Sequence, residues 1–164
     1  MFKLQNLIKF IGLLLIVLSI SLSHYPTLAQ EPVSKSSLGW YSDYEQAKID
    51  AGSSGKYVML YFSGSDWCKP CIQLNKSIID TDTFSEYATG IFVPVKLDFP
   101  KMKKNKHSKK MVDHNEALAE KYNPNGVFPL LVFLDKNEQM IGFTGFTDVS
   151  PGAYVTIIEK IIGQ

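Results

Sequence analysis

The sequence contains no arginine, and this absence excludes one kind of binding site. Arginine supplies the planar fork that holds a phosphate group in a bidentate way, so bidentate phosphate recognition is not expected. The 17 lysines are balanced by 16 aspartate and glutamate residues, which gives a formal net charge of +1. This balance excludes a globally basic nucleic-acid binder, and we expect no nucleic-acid partner, although it leaves room for a local basic patch.

Cysteine is also scarce, because Cys68 and Cys71 are the two cysteines of the chain. Two cysteines cannot build a disulfide-rich scaffold or a four-cysteine zinc site. A metal site that added His107 and His114 would use histidines seven residues apart, outside the usual spacing of three to five residues. We therefore expect no metal, and exchange of disulfides by the two cysteines would need no organic cofactor.

Long hydrophobic runs are represented by one segment near the start of the chain. Phe10 to Leu22 contains no charged residue, but it is shorter than the roughly 20 residues that span a membrane. Small residues at Thr27 and Ala29 suit cleavage after Ala29. We predict a signal peptide over residues 1–29 and export to the periplasm or the medium, with an uncleaved membrane anchor as the alternative.

The rest of the chain is predicted to be a polar linker, residues 30–37, followed by one domain, residues 38–164. Strands are predicted at Tyr57–Phe62, Ile91–Asp98, Leu130–Leu134 and Met140–Thr144. Helices are predicted at Tyr44–Ala51, after Pro70, at Thr83–Thr89, from Asp113 onward and after Ser150-Pro151. This order predicts an α/β fold in which helices cover both faces of a mostly parallel sheet with an antiparallel edge.

The motif Trp67-Cys68-Lys69-Pro70-Cys71 lies between a predicted buried strand and a predicted helix. Pro70 suits the first helical position, which puts Cys68 before the helix and Cys71 in its first turn. The free N–H groups of that turn and the charge of Lys69 favour the Cys68 thiolate, the nucleophilic form of the side chain. We predict that Cys68 attacks a disulfide and that Cys71 resolves the resulting mixed disulfide.

Three other interpretations of the cysteine pair stay open at this point. The pair would be half of a metal site, an inert structural disulfide, or a vestigial site in a module that only binds partners. The structural interpretation is weakened because a loop of two residues restricts the unfolded chain very little.

Residues from about Leu38 to Gly163 resemble the thioredoxin superfamily. The matching segments are YVMLYF with SGSDWCKPC, VPVKLD, EALAEKYNPNGVFP and LLVFLDKNEQMIGFTG. The phrases FSGSDWC, VKLDFP and NEALAEKY look most like exported bacterial thioredoxin-like proteins. The resemblance implies a thioredoxin-like fold with a central mixed sheet, and a thiol–disulfide oxidoreductase of the protein-disulfide reductase type. The partners it implies are protein thiols and disulfides. Because a reductase stays reduced in an oxidising compartment only if electrons are supplied to it, we also expect a membrane electron donor, and we expect a monomer.

The same resemblance assigns roles to individual residues. It implies that the Phe128-Pro129 bond is cis and faces the two cysteines. It also implies that Trp67, Phe128 and the Gly145-Phe146 turn border the substrate surface. Lys96 matches a lysine that the family has beside a buried aspartate. We expect Lys96, Lys69 and Pro70 to tune the pKa values of the two thiols. The family's buried aspartate, six residues before the first cysteine, is replaced here by Phe62.

Residues 101–110 contain six lysines and enlarge a connection that is short in small thioredoxins. We predict a solvated loop there, with docking to an acidic partner or an anionic membrane as the alternative. Asp66 is expected to support the start of the helix after the motif. Because proline cannot donate to a sheet ladder, Pro94 predicts either an edge position for its strand or a missing N–H that points away from a partner strand.

Overall fold

The structure is a computed structural model, and it describes residues 38–163. The predicted signal peptide with its cleavage site, and the predicted linker 30–37, lie outside the described residues. Among the residues that are described, no helix is both long enough and apolar enough to span a membrane.

Four strands form one mixed sheet: β1 (Tyr57–Ser63), β2 (Phe92–Asp98), β3 (Leu130–Leu134) and β4 (Met140–Thr144). Their order across the sheet is β2-β1-β3-β4. β2 runs parallel to β1, whereas β3 runs antiparallel to both β1 and β4. The mixed sheet that the resemblance implies is confirmed, and the prediction of a mostly parallel sheet is wrong.

The direction of β3 explains that error. Asp98 at the end of β2 pairs with Ser63, and Leu130 at the start of β3 pairs with Phe62. Both connections therefore meet the sheet at the carboxyl end of β1, and the helix between them does not return the chain to the opposite end. A helix between two strands in a sequence does not by itself show which end of the sheet it reaches.

Helices cover both faces of this sheet: α1 (Tyr44–Ser54), α2 (Lys69–Leu74), α3 (Asp82–Ile91), α4 (Lys109–Tyr122) and α5 (Pro151–Ile162). A π-helical turn at Asn75–Ile79 extends α2, and a 3₁₀ turn lies at Lys103–Asn105. Because successive strand residues point to opposite faces, Leu60 packs with residues of α1 and α4. Tyr61 packs on the other face with residues of α2, α3 and α5.

Several helix starts differ from the sequence-based expectation. The cap of α3 is Thr81, whose hydroxyl accepts from the Phe84 N–H at 3.4 Å, and not Thr83. α4 begins at Lys109, before the predicted start at Asp113, because the Ser108 hydroxyl accepts from the Met111 N–H at 3.3 Å. α1 continues to Ser54 and ends at Gly55, whose φ of 70° suits glycine.

Other elements agree with the sequence. Ser150 caps α5, Pro151 is its first residue, and the hairpin of β3 and β4 is antiparallel. Pro94 lies in β2, which is an edge strand of the four-stranded sheet as predicted. Tyr41 bridges the outer side of β2 through its N–H, which donates to the Pro94 carbonyl at 2.8 Å.

Candidate active site

The two cysteines lie between β1 and α2, at the edge of the sheet where β1 ends and β3 begins. They are joined in a disulfide with an S–S distance of 2.06 Å and a Cα–Cα distance of 5.2 Å. Cys68 is the N-cap of α2, and its Sγ accepts from the Cys71 N–H at 3.2 Å. Cys68 keeps 4% of its surface exposed and Cys71 keeps none. Pro70 is the second residue of α2 and not the first, which does not alter this placement.

Trp67 is held immediately before Cys68 by contacts on several sides. Its indole N–H donates to the Phe99 carbonyl at 2.7 Å, and its ring meets Phe128 edge-on with centroids 5.5 Å apart. The ring also lies against Gly64, where a β-carbon would overlap it. Glycine at position 64 is therefore what allows Trp67 to fold down beside the disulfide.

Phe62 lies at the position where the family has a buried aspartate. Its ring is fully buried and stacks on Phe99 at 6.4 Å, and Phe99 in turn meets Phe128 edge-on at 5.4 Å. An apolar cluster thus replaces the carboxylate, and this position supplies no proton acceptor for Cys71.

The Phe128-Pro129 peptide bond is cis, as the resemblance implies. The turn after β4 lies close to it, because a β-carbon on Gly145 would be 3.3 Å from the Pro129 carbonyl oxygen. The Tyr154 hydroxyl fixes this turn by donating to the Gly145 carbonyl at 2.7 Å. Phe146 is half-buried and packs on the face of the sheet that α2, α3 and α5 cover.

The two predicted tuning lysines differ in their surroundings. Lys69 is exposed as the first residue of α2, next to Cys68. Lys96 is half-buried in β2, where its N–H donates to the Tyr41 carbonyl at 2.9 Å and its side chain lines a cavity with Asp98 and His107. Within residues 38–163, neither lysine has a hydrogen bond to a cysteine.

The side chain of Tyr61 contacts the backbone of the cysteine motif. Its hydroxyl is buried and donates to the Cys71 carbonyl at 3.4 Å. Burial raises the pKa of Tyr61 to about 12, so the hydroxyl remains a donor at neutral pH. It adds a second hydrogen bond to a carbonyl that already accepts from the Asn75 N–H.

Two aspartates around the motif have roles that the sequence pattern did not reveal. Asp98 accepts from the Ser65 N–H at 2.8 Å and from the Ser65 hydroxyl at 2.7 Å, and it lies 3.7 Å from His107 Nε2. Asp66 accepts from the Lys101 and Met102 N–H groups, each at 2.9 Å. The sequence shows an aspartate just before the motif and a turn just after β2. It does not show that the two are in contact, because they lie some 35 residues apart in the chain.

Asp66 also accepts from the Asn105 side chain at 2.9 Å, which adds a third bond to the lysine-rich connection. These hydrogen bonds, led by that from the Lys101 backbone, hold the pKa of Asp66 below its ordinary value. Lys101 Nζ lies 3.8 Å from the centre of the Trp67 ring. The predicted solvated loop is exposed as expected, but it is tied to the motif, and its last residues belong to α4.

Comparisons with known proteins agree with this geometry. A family model described as thioredoxin-like matches residues 39–136. The disulfide bond reductase DsbH of Chlamydia pneumoniae is 30% identical over 131 residues, which cover 80% of this chain and 76% of that protein. The thioredoxin-related protein DsbJ of the same organism is 30% identical over 127 residues, 77% of this chain but 35% of its own length. This chain therefore spans about a third of DsbJ.

Solved structures show the same fold. A structure described as the DsbH oxidoreductase has a TM-score of 0.73 and 27% identity, covering 88% of this chain and 98% of that one. A thioredoxin from Thermus thermophilus has a TM-score of 0.56 and 23% identity, covering 76% and 87%. With its fold, its cysteine pair and these similarities together, the chain belongs to the thioredoxin-like family, as a thiol–disulfide oxidoreductase.

Proposed function

We propose that this protein reduces disulfides in other exported proteins, with Cys68 as the attacking thiol and Cys71 as the resolving thiol. The observation that carries the proposal is the asymmetry of the pair at the start of α2. Cys68 retains exposed surface and accepts a backbone hydrogen bond at its sulfur, whereas Cys71 is fully buried. The name of the similar reductase from Chlamydia supports the direction of the reaction.

The first step is attack by the Cys68 thiolate on one sulfur of a substrate disulfide. The Cys71 N–H, which lies 3.2 Å from the Cys68 sulfur, stabilises negative charge on that atom. The substrate disulfide breaks, a mixed disulfide forms at Cys68, and the released substrate thiolate takes up a proton.

The second step is attack by Cys71 on the Cys68 sulfur. The mixed disulfide breaks, the second substrate thiol leaves, and Cys68 and Cys71 are joined as in this structure. Two electrons have passed from the protein dithiol to the substrate. Cys71 must lose a proton in this step, and the apolar side chain of Phe62 cannot accept it, so solvent or another group has to do so.

The proposal includes export and an external source of electrons. The uncharged run before residue 30 supports a cleaved signal peptide, which delivers the protein to an oxidising compartment. A reductase in such a compartment must be reduced again after each turnover, and a membrane protein that carries electrons outward would serve. A monomer suffices, because both cysteines come from one chain.

Reduction of insulin in the presence of dithiothreitol tests the activity. The wild-type protein should accelerate the precipitation of insulin chains, and Cys68→Ser should reduce the rate to that of dithiothreitol alone. Equal rates for both proteins would contradict the proposal and would favour a binding module with an incidental disulfide.

A further inference from the structure

Positive and negative charges are unevenly distributed along the described domain. Residues 101–110, which we call the lysine segment, carry six lysines and no acidic residue. The other residues between 38 and 163 carry eight lysines and fifteen carboxylates, a formal charge of −7. Every residue of the lysine segment is exposed. A surface of one sign on a molecule of the other sign attracts oppositely charged partners to one place.

The structure puts this segment beside the cysteines. Asp66, two residues before Cys68, holds it by three hydrogen bonds of 2.9 Å, and Lys101 lies over the ring of Trp67. The 3₁₀ turn at Lys103–Asn105 and the start of α4 give the rest of the segment a fixed course. The lysines therefore border the surface that a substrate disulfide must approach.

Most of these lysines have no charge partner within the described part of the chain. Lys109 forms an ion pair with Asp113 at 2.7 Å. Lys103, Lys104, Lys106 and Lys110 form none there, although the domain has an excess of carboxylates elsewhere. Unneutralised like charges repel each other, and an acidic ligand would remove that repulsion.

We infer that the lysine segment is a docking surface for acidic residues that flank the disulfide of a protein substrate. This inference rests on the proposed function, and it specifies the class of substrate: proteins with acidic residues beside the disulfide. An anionic membrane is the other surface that such a segment would suit. The hydrogen bonds to Asp66 favour a protein substrate, because they place the charges beside the reacting sulfur.

The experiment uses the reduced full chain and a set of peptides in single turnover. Each peptide has one cysteine joined in a disulfide to 2-mercaptoethanol, and its flanking residues are glutamate, glutamine or lysine. One protein dithiol becomes a disulfide while the peptide and 2-mercaptoethanol are released as thiols. Rates are followed by tryptophan fluorescence and divided by the rate of each peptide with dithiothreitol, which removes differences in the peptides' own reactivity.

The glutamate peptide should react about tenfold or more faster than the glutamine peptide at low salt, and the lysine peptide should be slowest. The advantage should disappear at about 0.5 M salt, where charges are screened over a few ångströms. Replacing Lys103, Lys104 and Lys106 with glutamine should lower the glutamate-to-glutamine rate ratio toward one.

The matched control replaces Lys76, Lys136 and Lys160 with glutamine. It removes the same charge from exposed lysines outside the segment, and the rate ratio should keep its wild-type value. A ratio that falls equally in both triple variants would show that total charge acts, and would overturn the docking surface.

The remaining outcomes separate the two proposals. If no peptide is reduced, the proposed function fails. If all three peptides are reduced at equal normalised rates, the function stands and the docking surface is refuted. Binding to vesicles of anionic phospholipid that is lost in the Lys103, Lys104 and Lys106 variant, without any peptide preference, would assign the segment to a membrane and overturn the inference.

Discussion

Gly64 determines where the side chain of Trp67 can lie. The indole occupies the space that a β-carbon at position 64 would need, and its N–H is fixed on the Phe99 carbonyl. Gly64→Ala should therefore displace Trp67 and lower the free energy of unfolding by about 1–3 kcal/mol, the usual cost of overpacking.

Gly90→Ala is the matched control, since Gly90 lies in α3 with open space around its β-position. It should raise the free energy of unfolding by about 0.5–1 kcal/mol, because alanine favours helix. Urea denaturation measures both values. A Gly64→Ala protein as stable as the wild type, with unchanged tryptophan fluorescence, would refute this account of Trp67.

Residues differ in how far the sequence reveals them. Cys68 and Cys71 belong to a short pattern, so their placement could be predicted from the sequence, whereas the cis bond before Pro129 follows from the family resemblance. Gly64, Asp66 and Phe99 could not be predicted in either way, because their roles lie in contacts between the motif and the connection after β2. Such contacts depend on which strand ends meet at one edge of the sheet.

The first half of the lysine segment is held by hydrogen bonds to one titrating group, the Asp66 carboxylate. The pKa of Asp66 is lowered, so its carboxylate form holds the segment fully above the ordinary aspartate value of about 3.9. These hydrogen bonds are lost as pH falls through the lowered pKa of Asp66 in the folded protein, because the carboxylate is then protonated. NMR shifts of the Lys101 and Met102 amide protons should therefore titrate together below about pH 4.

The Ala153 amide proton is a control for that titration. It donates to the Ser150 hydroxyl at 3.3 Å, and a hydroxyl does not titrate in this range. Asp66→Asn should remove the titration of Lys101 and Met102. Amide shifts that stay constant down to pH 2 in the wild type would contradict the proposed hold.

Strands were easier to predict than helix starts. β3 and β4 are uninterrupted apolar or hairpin segments, and their bounds agree with the sequence pattern. α3 and α4 each have more than one residue able to cap them, and the sequence did not show that Thr81 and Ser108 do so. The choice is made by packing of the helix against the sheet, which a local pattern does not contain.

The stability of the whole domain should fall at high pH. Burial raises the pKa of Tyr61 and of Tyr87 to about 12 each, and it raises the pKa of Tyr154 as well. In the unfolded chain these groups ionise near pH 10. The stabilisation is therefore complete below about pH 10 and is lost as pH rises toward the folded values.

Urea denaturation at pH 9, 10 and 11 should show a falling free energy of unfolding. Tyr61→Phe should weaken this pH dependence, by a total on the order of 2 kcal/mol once ionisation is complete. The comparison with the wild type separates Tyr61 from the lysines, which titrate in both proteins. Identical slopes would show that the Tyr61 hydroxyl is not held as described.

The central claim for the whole molecule is that Cys68 attacks and Cys71 resolves. The most direct test is to mix Cys68→Ser and Cys71→Ser proteins separately with a disulfide-containing protein substrate and to detect mixed disulfides on non-reducing gels. Cys71→Ser should accumulate a mixed disulfide that thiol reductants release, because Cys68 keeps a small accessible surface and no second thiol resolves the product. Cys68→Ser should accumulate none. A mixed disulfide that forms through Cys71 as readily as through Cys68 would contradict the account.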